Sequence, residues 1–304
     1  MMPSVLYVTG WCRTGSTLLC NLLNELPGIA HVGELHYLWR NGVLGLGTNR
    51  SCGCGAPVLE CPMWTEVLGK VVAGPLDAYA REALADQRAY LRTRHIGARL
   101  AEACGQRRPP AGAAAAADRL AGLYEAIATV TGASLVIDSS KYPAEAATLC
   151  GRDDLDVAVL HMVRDPRATA YSWSRPKGYI PAMSVPRSGA YWTAFNHASD
   201  RIGSAFPRRY LRLRYEDFCA EPAAALRRVL SLVGRDDPAP VAADGTATLG
   251  TNHTVTGNPD RLVRGSVRVR PDDQWRTSLP LAQRFLATAL AAPVLRRYDY
   301  RYTR

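Results

Sequence analysis

Four short segments along the chain have the pattern of buried β-strands, and the first three of them are apolar throughout most of their length. The first three are rich in Val, Ile and Leu and lack the alternation of apolar and polar residues that a half-exposed strand shows. Each segment ends in polar residues, and the four cover residues 5–9, 135–138, 157–163 and 210–214. Strands that are apolar on both faces are typical of a parallel sheet covered by helices, so the pattern predicts such a sheet.

Segments with helical character follow or separate these strands. The last of them has a proline near its start and Gly234 at its end, which are favoured residues at those two positions. The predicted helices cover residues 16–26, 76–104, 118–131, 143–150, 166–173 and 222–233. Alternating strands and helices predict an α/β fold with a central, mainly parallel sheet flanked by helices.

Two low-complexity segments interrupt this pattern without separating two cores. Residues 107–118 are predicted to link two helices at the surface, although their alanine run can also extend the second helix. Residues 236–250 are rich in Pro, Gly and Ala and are predicted to form a loop. We therefore expect one domain over residues 1–304, with a helical, cysteine-containing insert at about residues 40–131.

The chain has a basic composition, and its apolar pattern predicts where the protein is located. Lys and Arg number 37 and Asp and Glu 27, which gives a net charge of +10 and suggests an anionic partner. No helix carries a continuous basic face and no nucleic-acid module is visible, so a nucleic acid is disfavoured. The N-terminus lacks the pattern of a secretory signal and no stretch of about 18 apolar residues occurs, which predicts a cytoplasmic protein without stable membrane insertion.

Three of the eight cysteines cluster in the sequence SCGCGAPVLECPMW at residues 51–64. A structural loop is the favoured interpretation, since the three thiols of Cys52, Cys54 and Cys61 need a fourth ligand to bind zinc. His36 is a conceivable fourth ligand. A disulfide from Cys61 to Cys52 or Cys54 is a further alternative in an oxidising setting. The expectation from sequence is that no metal is required.

The first strand runs into a loop with the spacing of a phosphate-binding P-loop. Residues 10–17 read GWCRTGST, which matches G-x-x-x-x-G-K-[ST] except that Ser16 replaces the lysine. Glycines let the backbone fold around an anion, and Arg13 and Thr17 add a positive charge and a hydroxyl. Without the lysine a nucleoside triphosphatase would be impaired, so the loop favours another phosphate ester. A plain strand–turn–helix, a P-loop kinase or NTPase-like nucleotide-binding protein, and a non-enzymatic sugar-phosphate binder remain alternatives.

The third strand ends in a second candidate anion site. Arg164 follows the strand, Asp165-Pro166 begins a helix, and Ser172 lies about two helical turns further on. Doubly wound sheets bind ligands at the carboxyl ends of their strands, where a guanidinium can hold a phosphate through two hydrogen bonds. A salt bridge from Arg164 to Asp165 or Asp138 is the structural alternative.

These motifs, in this order, resemble the sulfotransferases that use 3′-phosphoadenosine 5′-phosphosulfate (PAPS). Further matches are YLRLRYEDFCAEP at residues 210–222, NHTVTGNP at 252–259, Arg264-Gly265 and DQWR at 273–276, so the resemblance spans most of the chain. It implies a P-loop NTPase-like sulfotransferase fold. It also implies that Arg13, Thr14, Gly15, Ser16 and Thr17 bind the 5′-phosphosulfate, that Arg164, Ser172, Arg264 and Gly265 bind the 3′-phosphate, and that Tyr215 lies against the adenine.

The resemblance is closest to bacterial and tyrosylprotein-type members that use a glutamate base. It implies that Glu34, in HVGELHYLW, deprotonates a hydroxyl acceptor, with His36 as the rival base and His253 a distant second. Lys141, in DSSK after the second strand, is expected to neutralise charge on the transferring group, together with Arg13 and Ser16. The implied product is adenosine 3′,5′-bisphosphate, and the acceptor is a small molecule, a glycolipid or a carbohydrate. Structural alternatives are a surface position or a helix start for Glu34 and a helix cap for Ser140.

The insert is expected to cover the acceptor site. Four aromatic residues can line an apolar pocket there or pack in the core: Trp39, Trp64, Tyr179 and Trp192.

Overall fold

The computed structural model describes residues 3–176 and 180–302, so Tyr179 lies outside the described residues. Its main sheet has five strands in the order β2-β3-β1-β4-β5, and every neighbouring pair is parallel. The strands are β1 (Ser4–Thr9), β2 (Ile29–Gly33), β3 (Leu135–Lys141), β4 (Asp156–Val163) and β5 (Tyr210–Arg214). The predicted parallel α/β fold is confirmed.

The central strand β1 shows why the pattern of apolar residues was informative. Val5 and Tyr7 pack into the core on one face of the sheet, and Leu6 and Val8 into the core on the other. All four side chains are fully buried. A strand that is covered by helices on both sides has no solvent-exposed face, so its residues need no polar alternation.

The helices cover both faces of this sheet. They are α1 (Ser16–Leu23), α2 (Pro62–Val71), α3 (Leu76–Tyr90), α4 (Ile96–Ala103), α5 (Ala111–Thr131), α6 (Pro143–Cys150), α7 (Pro166–Ser174), α8 (Val185–Ala205), α9 (Tyr215–Ala220), α10 (Pro222–Leu232), α11 (Trp275–Ser278) and α12 (Leu281–Leu295). Sequence reasoning missed α2, α8, α9, α11 and α12. None of the helices in the described part of the chain has the length and apolar character that a membrane span requires.

The prediction of one helix over residues 76–104 was wrong. The chain leaves the α-helical conformation after Tyr90, forms a short 3-10 turn at Thr93–His95 and resumes the α-helix at Ile96. Arg99, on α4, donates to the Tyr90 carbonyl at 3.4 Å and its guanidinium lies 5.8 Å from the Tyr90 ring. This contact holds the end of α3 against α4, which a pattern of residues along the chain does not reveal.

The two low-complexity segments contain more regular secondary structure than we predicted. The alanine run is part of α5, which begins after Pro110 and ends at Gly132, a residue with a left-handed backbone. The prediction of a loop over residues 236–250 was wrong near its end, because residues Thr246–Leu249 form β6. That strand pairs antiparallel with β7 (Gly265–Arg268), so its pairing partner lies outside the segment.

The insert is integrated into the core. Trp39 and Trp64 are buried in the same hydrophobic core as Val5 and Tyr7, and Trp192 is buried in another beside Trp11. For these three residues core packing, rather than the lining of an open pocket, is what the structure shows.

A buried histidine within the sheet makes the free energy of unfolding depend on pH. His161, on β4, is fully buried between the Tyr210 hydroxyl and the Asn196 side-chain oxygen. Burial lowers the pKa of His161 from its ordinary value of 6.5 to about 4. Between these two values only the unfolded chain binds the proton, so this contribution to stability is present above pH 6.5 and is lost as the pH falls.

We therefore expect acid to destabilise the wild type more than a His161→Gln variant. Lowering the pH from 6.5 to 5 should cost the wild type about 1–2 kcal/mol more than the variant, as measured by urea unfolding at each pH. Equal pH dependence in the two proteins would contradict the assignment.

Candidate functional site

The loop between β1 and α1 is shaped by two glycines with left-handed backbones. Gly10 has a φ of 110°, and a Cβ there would lie 2.3 Å from the Met162 carbonyl oxygen. Gly15 has a φ of 75°, and a Cβ there would lie 2.7 Å from the Tyr215 ring. Both positions require glycine, because no other residue fits the space and accepts the conformation. The loop therefore passes close to β4 and α9 before α1 begins at Ser16.

The loop offers several groups to an anion. The first backbone N–H groups of α1 have no carbonyl partner within the helix, as at any helix start. The Thr14 hydroxyl is buried and has no hydrogen-bond partner among the residues that the structure describes. Thr17 is half-buried. Arg13 has a φ of 74° and its guanidinium stacks 4.7 Å from the Trp173 ring. A positive φ at a non-glycine residue is costly and is typical of functional loops.

Arg164 joins the loop to two distant parts of the chain. Its guanidinium lies 4.2 Å from the Tyr215 ring centre and donates to the Arg13 carbonyl at 3.2 Å. It also donates to the carbonyl and the carboxylate of Asp272, at 2.8 and 3.2 Å. Its Nε is buried and has no partner in the described part of the chain. The sequence motifs at β1, β4 and β5 thus meet at one edge of the sheet.

The alternative salt bridge from Arg164 to Asp165 or Asp138 is not what the structure contains. Asp165 pairs with Arg167 at 2.6 Å, and Asp138 accepts from the Tyr124 hydroxyl at 2.8 Å and from Ser140. Ser172 is buried on α7, which starts two residues after Arg164. These neighbours leave the Arg164 guanidinium facing the loop and the C-terminal segment.

Glu34 lies at the same edge, immediately after β2. Its backbone N–H donates to the Val255 carbonyl at 2.8 Å, and a Cβ placed on Gly257 would lie 3.5 Å from its carboxylate. The carboxylate makes no capping bond to the helical turn that follows, so the helix-start alternative does not explain it. Burial raises the pKa of Glu34, and the nearby charges of Lys141, Arg13, His36 and Arg261 oppose that rise.

Lys141 ends β3 next to the loop. It is buried, has a φ of 79° and donates through Nζ to the Ser139 carbonyl. The register between β1 and β3 shifts at this point, where Lys141 pairs with Thr9. The positive φ of Lys141 and this register shift mark an irregular end of the strand. The charges of Lys141 and Arg13 both act on Glu34, so three predicted catalytic residues are neighbours.

His36, the rival base, belongs to a buried network that the sequence did not reveal. Its Nδ1 lies 2.7 Å from a carboxylate oxygen of Glu145, whose other oxygen accepts from the Tyr7 hydroxyl at 2.9 Å. The imidazole stacks on the Tyr142 ring at 3.8 Å. The backbone N–H of His36 donates to the Ser140 hydroxyl at 2.9 Å, so Ser140 positions this turn and does not cap a helix. The Glu145 carboxylate orients the ring. The charge of His36 is one of those that oppose the rise that burial causes in the pKa of Glu34.

Cys12, within the loop, is a further neighbour of Glu34 to which the sequence analysis gave no role. Burial raises the pKa of this thiol to about 11, and the charge of Glu34 adds to the rise. The thiol is therefore neutral at pH 7. The loop therefore presents an uncharged thiol near the Glu34 carboxylate.

The structure does not bring Arg264 to Arg164. The Arg264 side chain is directed to the cysteine-rich segment, where it donates to the carbonyls of Gly53 and Cys54 at 3.3 and 3.1 Å. Gly265 begins β7. Asp272, rather than the Arg264-Gly265 pair, is the C-terminal residue that contacts Arg164. A phosphate-binding role for Arg264 and Gly265 stays a prediction.

Comparison with solved structures identifies the fold. A sulfotransferase domain of the olefin synthase from Synechococcus PCC 7002 matches with a TM-score of 0.56 and 20% identity, over 98% of this chain and 95% of that one. A sulfotransferase domain from the curacin biosynthetic pathway matches with a TM-score of 0.53 and 16% identity, over 98% of each chain. No family model and no curated protein matches the sequence. The chain therefore has the fold of these sulfotransferase domains along almost its whole length.

Proposed function

We propose that the chain is a PAPS-dependent sulfotransferase that moves a sulfuryl group to the hydroxyl of an acceptor. One observation carries the proposal. A P-loop with Ser16 in place of lysine is contacted by Arg164 and lies near Glu34 and Lys141, in a fold shared with sulfotransferase domains. The acceptor class is a small molecule, a glycolipid or a carbohydrate. The alanine- and arginine-rich composition supports a bacterial source.

The polar groups at the sheet edge fit a donor with two anionic ends. The Thr14 hydroxyl and the Nε of Arg164 have no hydrogen-bond partner among the described residues. The Thr14 hydroxyl and the N–H groups at the start of α1 suit the 5′-phosphosulfate, together with Arg13, Ser16 and Thr17. The Nε of Arg164 suits the 3′-phosphate. Ser172, Arg264 and Gly265 complete that part of the proposal. Tyr215 is the proposed wall for the adenine, and its contact with Gly15 and Arg164 supports this role.

The donor supplies the sulfuryl group and, as leaving group, the 5′-phosphate of adenosine 3′,5′-bisphosphate. The acceptor oxygen forms a bond to sulfur while the bond from sulfur to the phosphate oxygen breaks, and Glu34 takes the acceptor proton. Its raised pKa suits a base that works near neutral pH. Lys141 and Arg13 provide positive charge where the leaving group becomes more negative. We propose that Ser16 leaves the donor resistant to hydrolysis, since a lysine would add full positive charge there. The transfer itself then needs no metal.

Calorimetric titration with adenosine 3′,5′-bisphosphate tests the proposed donor. We expect the wild type to bind it, and Arg164→Met to weaken binding by about 10- to 100-fold through loss of charged hydrogen bonds. Arg81→Met is the matched control, because Arg81 is exposed and forms a salt bridge with Asp77 one turn earlier on α3. PAPS-dependent mass gain of a hydroxyl acceptor completes the test.

The same loop spacing supports one rival, a P-loop kinase or NTPase-like protein. Magnesium-dependent ATP turnover, without binding of adenosine 3′,5′-bisphosphate, would replace our proposal with this rival. The missing lysine at Ser16 is the reason we expect no such turnover.

A further inference from the structure

Three cysteines and a histidine from opposite ends of the chain meet beside the proposed active site. Cys52, Cys54 and Cys61 lie in the insert, and His253 follows them by almost 200 residues. One ligand atom from each residue lies within 4.8 Å of all the others. Nδ1 of His253 is 3.2 Å from the Cys61 sulfur and 3.6 Å from the Cys52 sulfur.

The spacing of these atoms fits a tetrahedral zinc ion. Zinc binds thiolate sulfur at about 2.3 Å and imidazole nitrogen at about 2.0–2.1 Å, which places neighbouring ligand atoms about 3.5–3.8 Å apart. Three thiolates and one imidazole are a common ligand set for structural zinc. Cys52 and Cys61 are fully buried, whereas Cys54 and His253 are half-buried and give an ion access from solvent.

Backbone and side-chain contacts fix the position of the four residues. Cys52 pairs with Val255 as a β-bridge, the Gly53 N–H donates to the Thr254 carbonyl at 2.9 Å, and the Trp64 indole donates to the His253 carbonyl at 2.8 Å. A Cβ on Gly53 would lie 1.9 Å from the Asn252 side chain, so only glycine allows this approach. Such preorganisation lowers the cost of assembling a metal site from two distant segments.

Two guanidinium groups lie close enough to the cysteine-rich segment to offset the negative charge of a zinc-bound site. A zinc ion with three thiolates and a neutral imidazole has a net charge of −1. Arg264 donates to the carbonyls of Gly53 and Cys54, and Arg261 donates to the Ser51 carbonyl at 2.8 Å. Both positive charges therefore border the cysteine-rich segment.

We propose that Cys52, Cys54, Cys61 and His253 bind a structural zinc ion. Four protein ligands fill the tetrahedron, so the ion has no open position for substrate or water and takes no part in the transfer. His253, which sequence reasoning treated only as a remote base, is the fourth ligand, in place of His36. A disulfide would use two thiols and would leave the third thiol and the histidine unexplained.

The proposed zinc would support the Glu34 side of the active site. It joins the insert to the segment that contains Val255, whose carbonyl accepts from the Glu34 N–H, and Gly257, which lies against the Glu34 carboxylate. The inference does not depend on the proposed reaction, because metal content and stability are measured without donor or acceptor.

Metal analysis of the purified chain tests the site directly. We expect one zinc per chain in the wild type, by native mass spectrometry and elemental analysis. Cys54→Ser and His253→Asn should lower zinc affinity by more than the roughly 10- to 100-fold that loss of an outer-shell partner costs. Cys104→Ser is the matched control, because Cys104 is an exposed cysteine outside the cluster. Full zinc content in both cluster variants would overturn the proposal.

Two measurements on the wild type keep the test valid if a variant folds poorly. Cobalt added to metal-free protein should give the charge-transfer and visible bands of a tetrahedral thiolate site. A chelator should lower the Tm of the wild type and of Cys104→Ser alike. Absence of the cobalt bands, or a disulfide among the three cysteines in the native protein, would refute the zinc site.

Discussion

Replacing Glu34 by glutamine is expected to lower turnover by about 10²- to 10⁴-fold, the range typical for loss of a general base. Glutamine keeps the size of the side chain and leaves the backbone bond to Val255 intact. It removes the group that takes the acceptor proton, together with the negative charge of the carboxylate. In the proposed mechanism Glu34 acts on the acceptor, so donor binding should change far less than turnover, and calorimetry with adenosine 3′,5′-bisphosphate together with steady-state kinetics separates the two effects.

The pH profile provides a second readout for Glu34. Because burial raises its pKa, the fraction of ionised base and hence kcat/KM should fall as the pH drops through that raised pKa. The residual activity of Glu34→Gln should lack this acidic limb. Glu66→Gln, an exposed position on α2, serves as the control for the amide substitution. Near-normal turnover in Glu34→Gln, with a large loss in His36→Gln, would assign the base to His36 instead.

Replacing Lys141 by methionine is expected to lower kcat by about 10²- to 10³-fold, as loss of a preorganised charge donor does in other active sites. Methionine retains an unbranched side chain and removes the ammonium group that lies beside Glu34 and the loop. The effect should appear in kcat more than in the affinity for adenosine 3′,5′-bisphosphate, because the charge acts where negative charge develops during transfer. Single-turnover kinetics with PAPS measures the chemical step.

Lys70→Met is the matched control for Lys141→Met. Lys70 lies on α2, is largely exposed and pairs loosely with Glu66 at 3.9 Å. The same chemical change there should leave kcat within experimental error. If both variants keep full activity, Lys141 has no part in charge neutralisation, and Arg13 becomes the main cation near Glu34.

The local patterns predicted the main sheet well. The four expected strands are present, with β5 matching residue for residue and β3 continuing through Lys141. Apolar runs of this kind are decisive because a central strand is buried on both faces whatever its neighbours are. The long helices α8 and α12 were missed, since their mixed or uniformly small residues carry a weaker periodic signal.

For the candidate site, too, some features followed from the sequence and others did not. The loop glycines, Arg13, Arg164 and Lys141 stand at strand ends, so their position followed from motif and topology. The contacts of Arg164, His36 and Glu34 with distant residues did not follow from the sequence. Asp272 beside Arg164, Glu145 beside His36 and Gly257 beside Glu34 are all more than 100 residues away from the group they contact. Nothing in a linear pattern encodes such pairs.

The sequence by itself determined the class of fold and the loop chemistry, because strand burial and glycine-dependent turns are local properties of the chain. Tertiary structure decided which side chains share an environment. It tied His36 to a buried carboxylate, directed Arg264 to the cysteine-rich segment and brought His253 to the three cysteines. These contacts arise only when β2, the insert and the C-terminal segment pack together, since desolvation and charge depend on distance in space rather than along the chain.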